Sequence, residues 1–162
     1  MTPTKYPTDA ELIAAYEAGP ESLKAEITSM TREQLLARPV AGKWSTQEVV
    51  IHLADAENAF SQRIKRIVAE DNPTYTAWQE NRFIERLAYD QQSAEDAVKL
   101  IELERRQIVR ILKTVGPRVL DRTGVHAERG PQTGRLVVEY AAWHLTHHLN
   151  FIKEKKAKLG LA

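Results

Sequence analysis

Cysteine is absent from the 162 residues of this chain, which excludes disulfides, a cysteine nucleophile and every thiolate metal site. A bound metal would have to use His, Asp, Glu or water. An excess of either charge is also missing: 23 Lys and Arg face 22 Asp and Glu, a formal charge of +1. Neutralising nucleic-acid phosphates normally takes a clear basic excess, so nucleic-acid binding is not expected. Long apolar runs are lacking too. The opening MTPTKYPTDA holds no apolar signal core, and the apolar stretch near the C-terminus is broken by Glu139, far short of the roughly 20 residues a membrane span requires. No membrane association and a cytoplasmic location are the resulting expectations. With 43% hydrophobic and 28% charged residues, a single soluble globular domain over 1–162 is expected.

What is present reads as helix. Thr8 with Glu11, Thr31 with Gln34 and Ser45 with Glu48 each match a capping box, in which hydroxyl and N3 side chain satisfy orphan backbone donors reciprocally. Ser93 with Asp96 is a weaker version. These starts predict a first helix over about 8–29, interrupted near Gly19-Pro20, a single short turn at 31–37, and a second long helix from Ser45 to about Glu70, closed by Asp71-Asn72-Pro73. A third runs from about Ser93 to Val115, with Val98, Ile101, Ile108, Leu112 and Val115 at helical spacing. A fourth starts near Thr133 and continues towards Lys158. The stretch 72–92, with Trp78 and room for a helical piece, and the turn-rich stretch 118–132 do not read as good strands. Four long amphipathic segments in a chain this short imply an all-α, four-helix-bundle fold.

The placement of histidines carries the functional signal. Of His52, His126, His144, His147 and His148, two fall in the apolar stripe of the fourth helix. Val137, Tyr140, Ala141, His144, His148, Phe151 and Ile152 recur there at three- and four-residue steps. Residues four apart are neighbours on a helix surface, so His144 and His148 form a competent bidentate arm for one ion. On the second long helix Val49, Leu53, Phe60, Ile64 and Ile67 mark the buried side, and His52 lies at its margin with small Ala56 and Ala59 nearby. Spacing alone does not bring His52 to the pair, and an interior histidine is more often simply a hydrogen-bonded core residue. Adjacent His147 is a rival ligand at the stripe's flank, read here as a pocket wall or outer partner.

The segment GKWSTQEVVIHLADAENAF (Gly42 to Phe60) and the late YAAWHLTHHLNFI (Tyr140 to Ile152) resemble the two signature helices of the DinB/YfiT-like superfamily. The stretch Gly124 to Gly130 (GVHAERG) resembles that family's loop into its fourth helix. The resemblance implies an up-down-down-up topology. It also implies a divalent metal held by one histidine of the second helix and an HxxxH pair of the fourth; by position these are His52, His144 and His148. Members are commonly described as metal-dependent hydrolases or as thiol-dependent S-transferases and isomerases, and their bundles pair.

Three neutral imidazoles would leave a coordination position open for chemistry. They suit Zn, Ni, Cu or Fe by affinity, and one divalent transition metal ion, Zn or Ni, is expected. The HxxxH pair encloses Leu145-Thr146-His147 without an acid to serve as general base. The reading therefore favours a transferase acting on a small-molecule substrate with a low-molecular-weight thiol cosubstrate. A metal-dependent hydrolase and a non-catalytic metal- or ligand-binding bundle are the alternatives. Glu48 and Asp55 are candidates to orient His52, Tyr140 to reach the site with its hydroxyl, and Trp44 to anchor packing beside the Ser45 cap. Arg63, Arg82, Arg129 and Arg135 could hold an anionic cosubstrate, but spacing selects none of them. Trp143, facing away from the stripe, makes a homodimer the expected assembly.

Overall fold

The computed structural model of the chain describes residues 6–161, so both extreme ends of the domain expected over 1–162 lie outside the described residues. In chain order the elements are α1 (Asp9–Ile27), α2 (Arg32–Leu36), α3 (Thr46–Ala69), β1 (Thr74–Tyr75), α4 (Glu80–Arg86), α5 (Ala94–Val115), β2 (Thr123–His126), β3 (Gly130–Thr133) and α6 (Gly134–Lys158). Short 3-10 turns lie at Tyr89–Gln91 and Pro117–Asp121. The three expected capping boxes all form, at Thr8, Thr31 and Ser45. Ser93 and Thr133 cap α5 and α6 through their hydroxyls. The all-α four-helix bundle is thus built from α1, α3, α5 and α6.

The strands reveal the directions of the helices. β1 follows α3, β2 follows α5, and the two pair in parallel, Thr74 against Val125 and Tyr75 against His126. The C-terminal ends of α3 and α5 therefore share one end of the bundle, and these helices run the same way. α6 leaves β3 at that end and runs back. Arg135 at its start pairs with Asp9 at the start of α1, so α1 runs beside it. The result is up-down-down-up. The long return from α3 to α5 is tied down where it arrives: Gln47 Nε2 donates to the carbonyls of Tyr89 at 3.1 Å and Gln92 at 2.6 Å.

Two expectations need correcting. The first is the break at Gly19-Pro20, through which α1 continues as one helix. Pro20 cannot supply the N–H that would bond the Tyr16 carbonyl. Arg105 of α5 supplies one in its place, donating from Nη1 to that carbonyl at 2.9 Å. Gly19 makes the space, because a Cβ there would stand 2.3 Å from the same Nη1. The second is the lack of strands in 72–92 and 118–132. β2 pairs antiparallel with β3 from Thr123–Thr133 to His126–Gly130. The residues that read as turn formers are what this small sheet needs. Gly124 admits Tyr75, whose Cε1 would be 2.7 Å from a Cβ; Gly130 has φ +72°; Pro131 sits on the edge strand, where a missing N–H does little harm.

The apolar interior forms two clusters. Leu12, Tyr16, Phe60, Ile64, Ile108 and Val138 belong to one; Leu23, Val50, Leu53, Ile101, Leu145 and Ile152 belong to the other. Along every long helix the change from one cluster to the other falls at a polar layer. There Arg105, 2% exposed, pairs through Nη2 with Glu57 Oε2 at 2.7 Å and donates to it from Nε at 2.8 Å. Its Nη2 also donates to the Ala141 carbonyl at 3.0 Å, and the Tyr16 hydroxyl donates to Glu57 Oε1. All four bundle helices meet in this one network.

Candidate metal centre

His52 is carried on the second turn of α3, whose start is fixed by the Ser45–Glu48 capping box. His144 and His148 lie on successive turns of α6. Because α3 and α6 pack side by side, the three imidazoles converge. His52 Nε2 stands 3.2 Å from His144 Nε2, and one nitrogen from each of the three rings lies within 4.8 Å of the others. His52 is 1% exposed and His148 9%.

Burial holds these rings neutral. Desolvation pulls His52 down to about 4, and His148 to about 3 with the charges of His52, His147 and Lys155 adding to it. His144 falls to about 2 for the same first reason. Near neutral pH each ring therefore offers a lone pair, the state a transition metal ligand needs. Nδ1 of His52 and Nδ1 of His148 are buried without a hydrogen-bond partner. A buried polar atom left unpaired is costly, and three uncharged imidazoles with one nitrogen each within 4.8 Å of the others suit a divalent transition metal ion.

Aromatic side chains wall this cluster. The Trp44 ring is 5.0 Å from His52 and stacks parallel to His148 at 6.4 Å. Trp44 therefore lines the site as well as packing beside the helix start. Trp78, delivered by the stretch read as irregular, stacks on His52 at 5.5 Å; the sequence carried no period that could have placed it there. Phe60 meets His144 edge-on at 5.7 Å. His147 stays outside the donor cluster, stacked on Trp143 at 4.8 Å and edge-on to Phe151 at 4.6 Å.

The carboxylates suggested as partners of His52 have other employment. Glu48 accepts from the Ser45 N–H at 2.7 Å and pairs with Arg38. Asp55 accepts from the Tyr89 hydroxyl. Both are neighbours of His52 on the helix surface, yet both are engaged with these other partners and His52 Nδ1 has no hydrogen-bond partner, so neither orients it. Tyr140 lies in the wall of the cleft, its ring 6.1 Å from that of His144. His126, buried on β2, accepts at Nδ1 from the Glu128 N–H at 3.2 Å and faces Tyr75.

A cleft of about 480 Å³ opens onto His144 and is lined among others by Arg63, Arg82, Arg129, Tyr140, Trp78 and His126. Arg135 is not in it; that side chain pairs with Asp9 and Glu139 and donates to the Tyr6 carbonyl. Among the described residues no helix is long and apolar enough to cross a membrane.

Fold and site together define a class: a four-helix bundle of up-down-down-up topology with a three-histidine donor cluster between its second and fourth long helices. The model of the DinB superfamily matches residues 15–152, and the chain belongs to that superfamily. A protein of Oceanobacillus iheyensis, OB0782, provisionally named a metal-dependent hydrolase, is 30% identical over 142 residues, 88% of this chain and 82% of that protein. A Bacillus mycoides protein of the same provisional name is 25% identical over 141 residues, 87% of this chain and 81% of its own. The solved structure of YfiT from Bacillus subtilis, a four-helix bundle of unusual topology, superposes with a TM-score of 0.90 at 22% identity. It covers all of this chain and 95% of that one.

Proposed function

We propose that this protein binds one divalent transition metal ion, Zn or Ni, through His52, His144 and His148, and transfers a group between a small-molecule substrate and a low-molecular-weight thiol. The observation that carries this reading is the convergence of three neutral imidazoles within 4.8 Å, one of which, His144, lines a cleft. The ion, when bound, supplies a Lewis acid that makes a nucleophile available near neutral pH. The chain's own residues do the rest. The three imidazoles donate without adding charge, Trp44 and Trp78 keep bulk water from the donor nitrogens, and the cleft admits the substrate beside His144.

Transfer is preferred to hydrolysis on the composition of the cluster. Among the described residues no carboxylate joins the three histidines within the donor cluster, so the cluster itself holds no general base. The thiol has to come from a cosubstrate, because the chain has no cysteine. Hydrolysis is the second reading, favoured by the names of the Oceanobacillus and Bacillus relatives. Absorbance of the Co(II)-substituted protein separates the two. Thiolate charge-transfer bands on addition of glutathione or free cysteine are expected, whereas an unchanged spectrum rejects the transferase reading. Pairing of two copies through Trp143, 40% exposed on α6, belongs to the same proposal. Light scattering that gives a mass near 18.4 kDa at micromolar concentration would refute it.

A further inference from the structure

Two arginines of this bundle are more than nine-tenths buried, and they are satisfied very differently. Arg105, 2% exposed, uses all three nitrogens on a carboxylate and two carbonyls. Arg63, 7% exposed on α3, has a single hydrogen bond among the described residues, from Nη2 to the Thr76 carbonyl at 3.1 Å. No carboxylate among the described residues pairs with it. Its guanidinium lies instead over the faces of Tyr75 at 5.2 Å and Phe60 at 5.9 Å. A guanidinium carries five N–H donors and keeps its charge. Burying one without a counter-ion is costly, and the cost falls when an anion arrives.

The neighbours of Arg63 deepen the deficit. Arg129, on the turn between β2 and β3, sits over the Tyr140 ring at 5.2 Å, also without a paired carboxylate among the described residues. Arg82 lines the same cleft. Two acids line it too, Glu80 and Glu128, and neither is within ion-pair distance of these arginines, so three guanidinium groups face two carboxylates. His126 adds no charge, because burial, and then Arg63 and Arg129, hold it below the ordinary histidine range. Cation and donor cluster are also in register. Phe60 separates Arg63 from His144, whose ring is 5.7 Å from the phenyl, and Tyr140 separates Arg129 from the same histidine. Each guanidinium thus stands one aromatic ring away from the candidate metal site.

We infer that Arg63 and Arg129 form an oxyanion subsite, so that the substrate or cosubstrate carries a carboxylate or phosphate about one ring's width from its reacting atom. The inference rests on the functional reading above for what reacts, but not for the anion site itself. Planar guanidinium groups take both oxyanions bidentately. The aromatic faces beside them suit an apolar or planar segment linking the anion to the reactive end.

The test is calorimetric titration of the metal-free protein with inorganic phosphate and, separately, with malonate, at constant ionic strength. Saturable binding of at least one is expected. Arg63→Gln and Arg129→Gln should each weaken it at least about tenfold, the loss of one charge-assisted contact, whereas Arg110→Gln, on the exposed face of α5, should leave it unchanged. The tighter of the two probes identifies the oxyanion. No saturable binding of either, or equal binding in all four proteins, overturns the inference. Circular dichroism verifies folding, and Arg129, exposed on its turn, keeps the test valid should Arg63→Gln fail to fold. Metal stoichiometry of the same proteins is measured separately. Metal without anion binding sinks the subsite alone, and anion without metal binding sinks the metal reading alone.

Discussion

Two polar inclusions interrupt the apolar interior, and they follow opposite rules. In the Arg105 layer every charged atom has a partner: both Glu57 oxygens and all three Arg105 nitrogens are engaged, and four helices contribute. A turn or so along the same helices, the histidine cluster and its cleft leave donors and acceptors open. Nδ1 of His52 and of His148 have no partner, and Arg63 has one carbonyl. His52 and Arg63 are buried as Arg105 and Glu57 are. The difference is satisfaction: a closed network fixes how helices meet, whereas an unsatisfied one marks where something else is meant to bind.

The sharpest way to break this comparison is to open the closed network. Glu57→Ala would strand the Arg105 guanidinium and should cost about 3–5 kcal/mol in urea unfolding, while the folded fraction still binds metal. A loss below about 1 kcal/mol would show that the layer does not hold the bundle. In the open site the order reverses. His148→Ala should abolish stoichiometric metal binding with little change in the stability of the metal-free protein. His147→Ala should retain the metal and lose about 10–100-fold in affinity or activity, as for an outer partner. Elemental analysis after identical dialysis reads both, and the opposite result would move the site to His144 and His147.

Gly19→Ala tests the tight approach of Arg105 to α1 and should destabilise by about 1–3 kcal/mol, measured by thermal or urea unfolding. The last test is in pH. The three ring pKa values are lower folded than unfolded, so the unfolded chain binds more protons below about pH 6.5. Stability of the metal-free protein is therefore full above pH 6.5 and falls as the pH drops towards 4. Each histidine contributes up to about 1.4 kcal/mol per pH unit. His52→Ala should flatten that slope; an unchanged profile would mean that His52 is not held neutral by the fold.

Most of the bundle was legible because its determinants are local. Capping boxes at Thr8, Thr31 and Ser45 and apolar spacing in α3, α5 and α6 set the helices within two residues of their observed ends. The pair His144 and His148 was legible for the same reason, since a four-residue step on a helix is a short-range geometry. Where local rules erred, a distant residue had replaced a missing local interaction. Pro20 stays helical because Arg105, 85 positions later, bonds the Tyr16 carbonyl. Thr123–His126 and Gly130–Thr133 become strands because β1 and Tyr75 come to meet them.

By itself, then, the sequence determined the class of elements, their caps and the face of α6 that carries two imidazoles, because hydrogen bonds and side-chain periods within a few residues decide these. The tertiary structure alone decided that His52 joins that pair, that Glu48 and Asp55 serve a cap and a tyrosine, and that Trp44 and Trp78 wall the site. It also chose among arginines of similar sequence setting. Arg105 and Arg135 are closed into ion pairs, and Arg63 and Arg129 are left facing a cleft. The physical reason is that desolvation and charge pairing depend on what the other helices bring within a few ångströms, and no pattern along one helix records that.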